Sequence, residues 1–124
     1  MATLDQIVFD SAHPAALARF WAQALDGYAV RAYDDAELAR LAALGLTPET
    51  DPSVMVDGPG PTLCFHRVTE PKSAKNRVHL DLAVPNRPAE VTRLLGLGAT
   101  LKRETSGYTV LRDPEGNELC VVER

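Results

Sequence analysis

Asn76-Arg77-Val78-His79-Leu80-Asp81-Leu82-Ala83-Val84 is the stretch that decides how this chain is read. Its side chains alternate. Val78, Leu80, Leu82 and Val84 fall on one face and His79, Asp81 and Ala83 on the other, the period of two expected of a half-buried strand. An imidazole and a carboxylate two residues apart therefore point the same way. What else reaches the space they face is the question put to the rest of the sequence.

At 124 residues the chain suits one domain, and its 45% hydrophobic content is enough to bury a core. The net charge of -4 comes without an acidic tail or a basic face, which argues against a nucleic-acid partner. No apolar run is long enough to span a bilayer, and the first residues lead into a strand without a signal-peptide pattern. Cys64 and Cys120 do not make a disulfide framework, so reduced thiols and a cytoplasmic location are expected.

Outward from the central stretch, Leu4 to Phe9 reads as a strand. Ser11-Ala12-His13-Pro14 then starts a helix, His13 serving as a helix-start residue. Leu17, Phe20, Trp21, Ala24 and Leu25 form its apolar stripe, so Phe20 and Trp21 read as helix-to-sheet packing. Tyr28 to Tyr33 is expected as a second strand. Asp34-Asp35-Ala36-Glu37 resembles a capping box and opens a helix carrying Leu38, Leu41 and Leu44. Strands are expected at Ser53 to Val56 and Thr62 to Val68, around the turn Asp57 to Pro61. After a polar linker, the central strand is followed by a helix from Arg87 to Leu97, with Val91, Leu94 and Leu95 inward. Strands at Ala99 to Glu104, Tyr108 to Arg112 and Asn117 to Glu123 complete the chain.

The two halves repeat. Asp57-Gly58-Pro59-Gly60-Pro61-Thr62-Leu63-Cys64-Phe65 lies over Asp113-Pro114-Glu115-Gly116-Asn117-Glu118-Leu119-Cys120-Val121, with Asp, Gly, Leu and Cys coinciding without a gap. Gln6-Ile7-Val8-Phe9 lies over His79-Leu80-Asp81-Leu82 in the same order. The expected fold class is α+β: two βαβββ modules in tandem, residues 1–70 and 76–124 joined by 71–75, with an extra helix in the first.

Pro14-Ala15-Ala16-Leu17-Ala18-Arg19-Phe20-Trp21, Lys75 to Leu82, Leu97-Gly98-Ala99-Thr100 and Asp113 to Glu118, taken in order, resemble landmarks of glyoxalase-like proteins. These belong to the vicinal oxygen chelate superfamily of glyoxalase I, bleomycin-resistance proteins and extradiol dioxygenases. The resemblance implies a curved mixed sheet enclosing a small-molecule cavity, and a homodimer. In metal-using members each module gives one ligand from its first strand and one from its last. Carried onto this chain, those positions are Gln6, Cys64, His79 and Cys120. Gln6 and His79 suit the family pattern; Cys64 and Cys120 stand where the family places Glu, which sets the chain apart from true glyoxalase I.

Two readings of the thiols stay open. They converge with Gln6 and His79 on a divalent metal, zinc being the natural guess for such donors, or they are small apolar wall residues. His66 shares a face with Cys64 and is either a second cavity imidazole or a solvent-facing residue. Asp81 orients His79 or acts as a base, or else pairs with an Arg across strands. Glu118 shares a face with Cys120 and is expected to be solvated beside its turn. Tyr108 offers a hydroxyl to the cavity. Lys72, Lys75 and Arg77 either draw an anionic ligand or form a solvated linker. The function expected is a small-molecule enzyme doing metal-assisted lyase or isomerase chemistry through a stabilised enolate. The alternative is a metal-free protein that binds or sequesters a drug or metabolite.

Overall fold

Each half of the chain builds its own four-stranded mixed sheet. The structure, a computed structural model, describes residues 1–124, and they divide into two units, Met1–Pro71 and Lys72–Arg124. The first unit contains β1 (Gln6–Ser11), α1 (Pro14–Ala24), β2 (Ala29–Val30), α2 (Asp35–Ala43), β3 (Ser53–Asp57) and β4 (Thr62–Arg67). Its strands lie in the order β1-β4-β3-β2, with β1 parallel to β4 and the other pairs antiparallel. The second contains β5 (Leu80–Val84), α3 (Arg87–Leu97), β6 (Thr100–Glu104), β7 (Tyr108–Arg112) and β8 (Glu118–Glu123). Its order, β5-β8-β7-β6, repeats the plan, again with the first strand parallel to the last.

The sequence overlay reappears as hydrogen-bond register. Ile7 faces Leu63 as Leu80 faces Leu119; Val8 faces Cys64 as Asp81 faces Cys120; Phe9 faces Phe65 as Leu82 faces Val121. Because side chains alternate along a strand, one shared register sorts both sheets alike. Phe9, Leu63 and Phe65 lie on the helix side of the first sheet, and Leu82, Leu119 and Val121 on the core side of the second.

The first core is aromatic. Helix α1 starts with Pro14 in its first turn and presents Leu17, Phe20, Trp21 and Ala24 on one side, all buried. Phe9 stacks on Phe65 with ring centroids 5.1 Å apart and lies 5.8 Å from Trp21. Burial of each such ring contributes roughly 2–3 kcal/mol, so Trp21 and Phe65 are the anchors of this unit. Phe20 and Trp21 thus pack as their stripe implies. Helix α2 is capped by Asp34, whose carboxylate accepts from the Glu37 amide at 2.8 Å. It buries only Leu41; Leu38 and Leu44 face outward, so its expected three-leucine stripe is one residue wide. Similarly α3, closed by Gly98 at φ +120°, buries Leu94 and leaves Leu95 exposed.

The alternation misplaces the start of three strands: β1 is displaced towards Ser11, and β5 and β2 are shorter than expected. Leu4 and Val78 are among the most exposed apolar residues, and β1 and β5 begin only at Gln6 and Leu80. Near Val78 the Asn76 amide donates to Glu118 Oε2 at 3.0 Å instead of joining a ladder. Tyr28 to Tyr33 keeps only Ala29–Val30 in the sheet. The Tyr28 hydroxyl donates to Pro61 O at 3.0 Å and the Tyr33 hydroxyl to Asp51 Oδ2 at 2.8 Å, fixing both tyrosines to loops. No helix is long and apolar enough to cross a membrane.

Glu118 corrects a second expectation: it is buried, not solvated. Besides the Asn76 amide, it receives Lys72 Nζ at 3.2 Å and Lys102 Nζ at 3.4 Å. Burial alone raises its pKa, but the amides of Asn76 and Glu118 itself and the Lys72 ammonium outweigh burial and hold it at about 2. The segment before β5 is thereby tied to the first residue of β8.

Two outcomes follow from these contacts. A Cβ built on Gly58 would meet the Tyr28 ring at 2.4 Å, whereas one on Gly107 meets nothing within 4 Å. Gly58→Ala is therefore expected to lower stability by about 1–3 kcal/mol and Gly107→Ala to leave it within about 0.5 kcal/mol, as read by thermal melts. Glu118→Gln should lower stability by about 1–3 kcal/mol near neutral pH. Glu118 has a depressed folded pKa, so its stabilisation is complete above its ordinary pKa of 4.5 and is lost as pH falls towards about 2. Urea midpoints of wild type and Glu118→Gln should converge over that acid range; a constant gap would contradict the assignment.

Candidate active site

The parallel contact of β5 with β8 assembles the site. His79 stands immediately before β5, and Asp81 lies opposite Cys120. On β8 the alternation gives Glu118, Cys120 and Val122 one face; β7 adds Tyr108 and Val110 to it. These side chains line a cavity of about 450 Å³ on the second unit's sheet, within the range of small-molecule sites.

His79 Nε2 lies 3.2 Å from Asp81 Oδ1, with both side chains about half exposed. The expected alternative partner for Asp81, an Arg across strands, gives way to this neighbour on its own segment. Cys120 is half-buried and forms no disulfide. Its thiol pKa is raised, first by burial and then by the Asp81 carboxylate, which also accepts its hydrogen bond; Arg103 and Lys75 pull it part of the way back. The ligating atoms of His79, Asp81 and Cys120 all lie within 4.8 Å of one another.

Of the four expected ligands, His79 and Cys120 are therefore brought together, and Asp81 joins them. Gln6 and Cys64 belong to the first unit, on neighbouring strands and one face of its sheet. Cys64 is buried between Val8 and Met55, and burial raises its thiol pKa while the Arg31 guanidinium works against the rise. His66 is exposed, with Nδ1 2.7 Å from Ser53 Oγ on the facing strand. Nearby, Asp57 is bound through both oxygens by Arg31, at 2.7 and 2.9 Å, and by the Thr62 hydroxyl; these hold its pKa at about 2.

Besides Val110 and Val122, two cations of the lining go unmarked in the sequence: Lys102 and Arg103. Both line the cavity although they are consecutive, which plain alternation forbids. The register of β6 explains it. Leu101 faces Leu111, but Arg103 faces Val110, so Lys102 is an extra residue in a bulge. Leu101 and Arg103 thereby fall on opposite faces, and Lys102 and Arg103 share one. No Gly or Pro marks the spot; two adjacent cations on an edge strand were the only available signal. Arg103 Nη2 lies 3.4 Å from the Tyr108 hydroxyl, and Tyr108 is part of the lining.

A profile of the glyoxalase-like domain matches residues 6–122. Solved structures of similar fold include a glyoxalase/bleomycin resistance protein/dioxygenase family enzyme from Burkholderia phytofirmans PsJN. It is 18% identical, with 98% of each chain covered and a TM-score of 0.68. The fosfomycin resistance protein FosX from Mesorhizobium loti is 11% identical, with 98% of this chain and 91% of that one covered and a TM-score of 0.68. The trypanothione-dependent glyoxalase I of Leishmania major is 15% identical, covering 99% and 87%, with a TM-score of 0.63. No curated protein matches the chain by sequence. The structural likenesses carry the fold, and the profile spans nearly the whole chain: the protein belongs to the glyoxalase-like family of the vicinal oxygen chelate superfamily.

Proposed function

We propose that the protein is a small-molecule enzyme whose working site is the open face of the second unit's sheet, with His79, Asp81 and Cys120 holding a divalent cation. The observation that carries this is the approach of three different donors, an imidazole, a carboxylate and a thiol, to within 4.8 Å of one another. That donor set suits a borderline cation such as zinc, and three protein ligands leave a position for substrate. When bound, the cation supplies a Lewis acid that polarises a substrate oxygen for a lyase or isomerase step.

The chain's own groups do the rest. Cys120 gives up its proton to become a ligand, against the pull of burial and Asp81. Asp81 holds the His79 ring in place. Val110 and Val122 give the cavity an apolar wall that limits water. A homodimer in the cytoplasm, as the family resemblance and the thiols imply, completes the proposal.

The run His79, Asp81, Cys120 also satisfies its own hydrogen bonds, and this favours a second reading in which the face binds or sequesters a ligand without metal. Metal content separates the two. Untagged wild type analysed by elemental mass spectrometry should carry about one equivalent of metal per chain, and His79→Ala and Cys120→Ala should lose it. Absence of stoichiometric metal after incubation with zinc would overturn the enzyme reading in favour of the second. Because Cys120 must lose a proton, zinc affinity should rise with pH by about tenfold per unit below the thiol pKa, as read by competition with a chromophoric chelator.

A further inference from the structure

Charge and shape in the same cavity say what enters it. We infer that the second unit's cavity takes a compact organic anion, its oxyanion group held by Lys75 and Arg103 and its short apolar body laid against Val110 and Val122. The inference rests on the proposal that this face is the working site.

The lining carries Lys75, Lys102 and Arg103 against Asp81 and Glu118, an excess of positive charge on a chain whose net charge is -4. The existing pairings make the excess local. Glu118 is met by two ammonium groups, Lys72 and Lys102. Asp81 is engaged by His79. Lys75 and Arg103 are left without a carboxylate, and the one side-chain partner of Arg103, the Tyr108 hydroxyl, is neutral. A guanidinium presents a planar fork of donors that matches carboxylate and phosphonate oxygens.

The second observation is the bulge in β6. In an unbroken ladder Lys102 would pair with Val110 and Arg103 would take the face of Leu101, away from the cavity. The irregular register is what aims this guanidinium at the site. Val110, the register partner of Arg103, is buried and Val122 is half-buried, so the lining offers apolar surface as well as cations. A volume of about 450 Å³ suits a small ligand.

Amide-resolved NMR titration of the full chain tests this with butyrate, propylphosphonate and neutral butyramide as probes. Butyrate and propylphosphonate should produce saturable shifts at Asp81, Arg103 and Cys120, with the stronger response identifying the preferred oxyanion. Butyramide should leave these amides unmoved. Lys75→Gln and Arg103→Gln should each weaken binding by about tenfold. Lys75 is exposed, so its variant keeps the test decisive should Arg103→Gln fail to fold. Equal response to butyramide, unchanged affinity in Lys75→Gln, or no saturable response to either anion would overturn the inference. Metal measured on the same samples keeps the two claims apart. Metal-loaded wild type that ignores both anions contradicts this inference alone, and anion binding by wild type that takes up no zinc on incubation contradicts the metal reading alone.

Discussion

The parallel pairing of first strand with last, within each unit, is the constraint from which the rest follows. It sets Leu80 against Leu119 and Asp81 against Cys120, and the same register sets Ile7 against Leu63 and Val8 against Cys64. A slip of one residue would exchange the two faces of the strand. In β5 it would place Asp81 in the core and expose Leu82; in β8 it would do the same to Cys120 and Val121. The burial of Leu82, Leu119 and Val121 therefore fixes where the polar groups stand. In this sense the apolar core positions the site, although it contributes no chemistry.

The open face of the second sheet contrasts with that core. It combines an exposed imidazole and carboxylate, a half-buried thiol, a buried carboxylate shared by two lysines, and two valines. Glu118 has two roles there. It ties the segment before β5 to β8, and it neutralises Lys102 at the edge of the cavity, leaving Lys75 and Arg103 as the cations without an ion pair. The first sheet spends its polar groups differently: Asp57 is bound by Arg31 and Thr62, and His66 by Ser53.

Much of this was legible in the sequence because the hydrophobic pattern and the internal repeat agreed. The overlay of Gln6 to Phe9 on His79 to Leu82 anticipated the register residue for residue, and the helix Arg87–Leu97 has the expected bounds. The misses share a physical origin. Alternation cannot say where a ladder stops: it extends through Leu4 and Val78, which lie outside the strands. Proximity to a turn does not reveal burial: Glu118 is enclosed by Lys72, Lys102 and the Asn76 amide, groups distant from it in sequence. A bulge in β6 breaks the period on which strand reading depends, and it hid Lys102 and Arg103. Spacing leaves Asp81 open between a role beside His79 and a cross-strand Arg; its approach to Cys120 depends on inter-strand register, which spacing alone does not specify.

We propose that one thiol, Cys120, belongs to a metal-binding group and that its repeat-mate Cys64 does not. Cobalt substitution addresses this directly, because a thiolate bound to cobalt(II) gives a charge-transfer band in the near ultraviolet. The band should appear in wild type, survive Cys64→Ser and vanish in Cys120→Ser. A band that survives Cys120→Ser, or one that requires Cys64, would contradict the account.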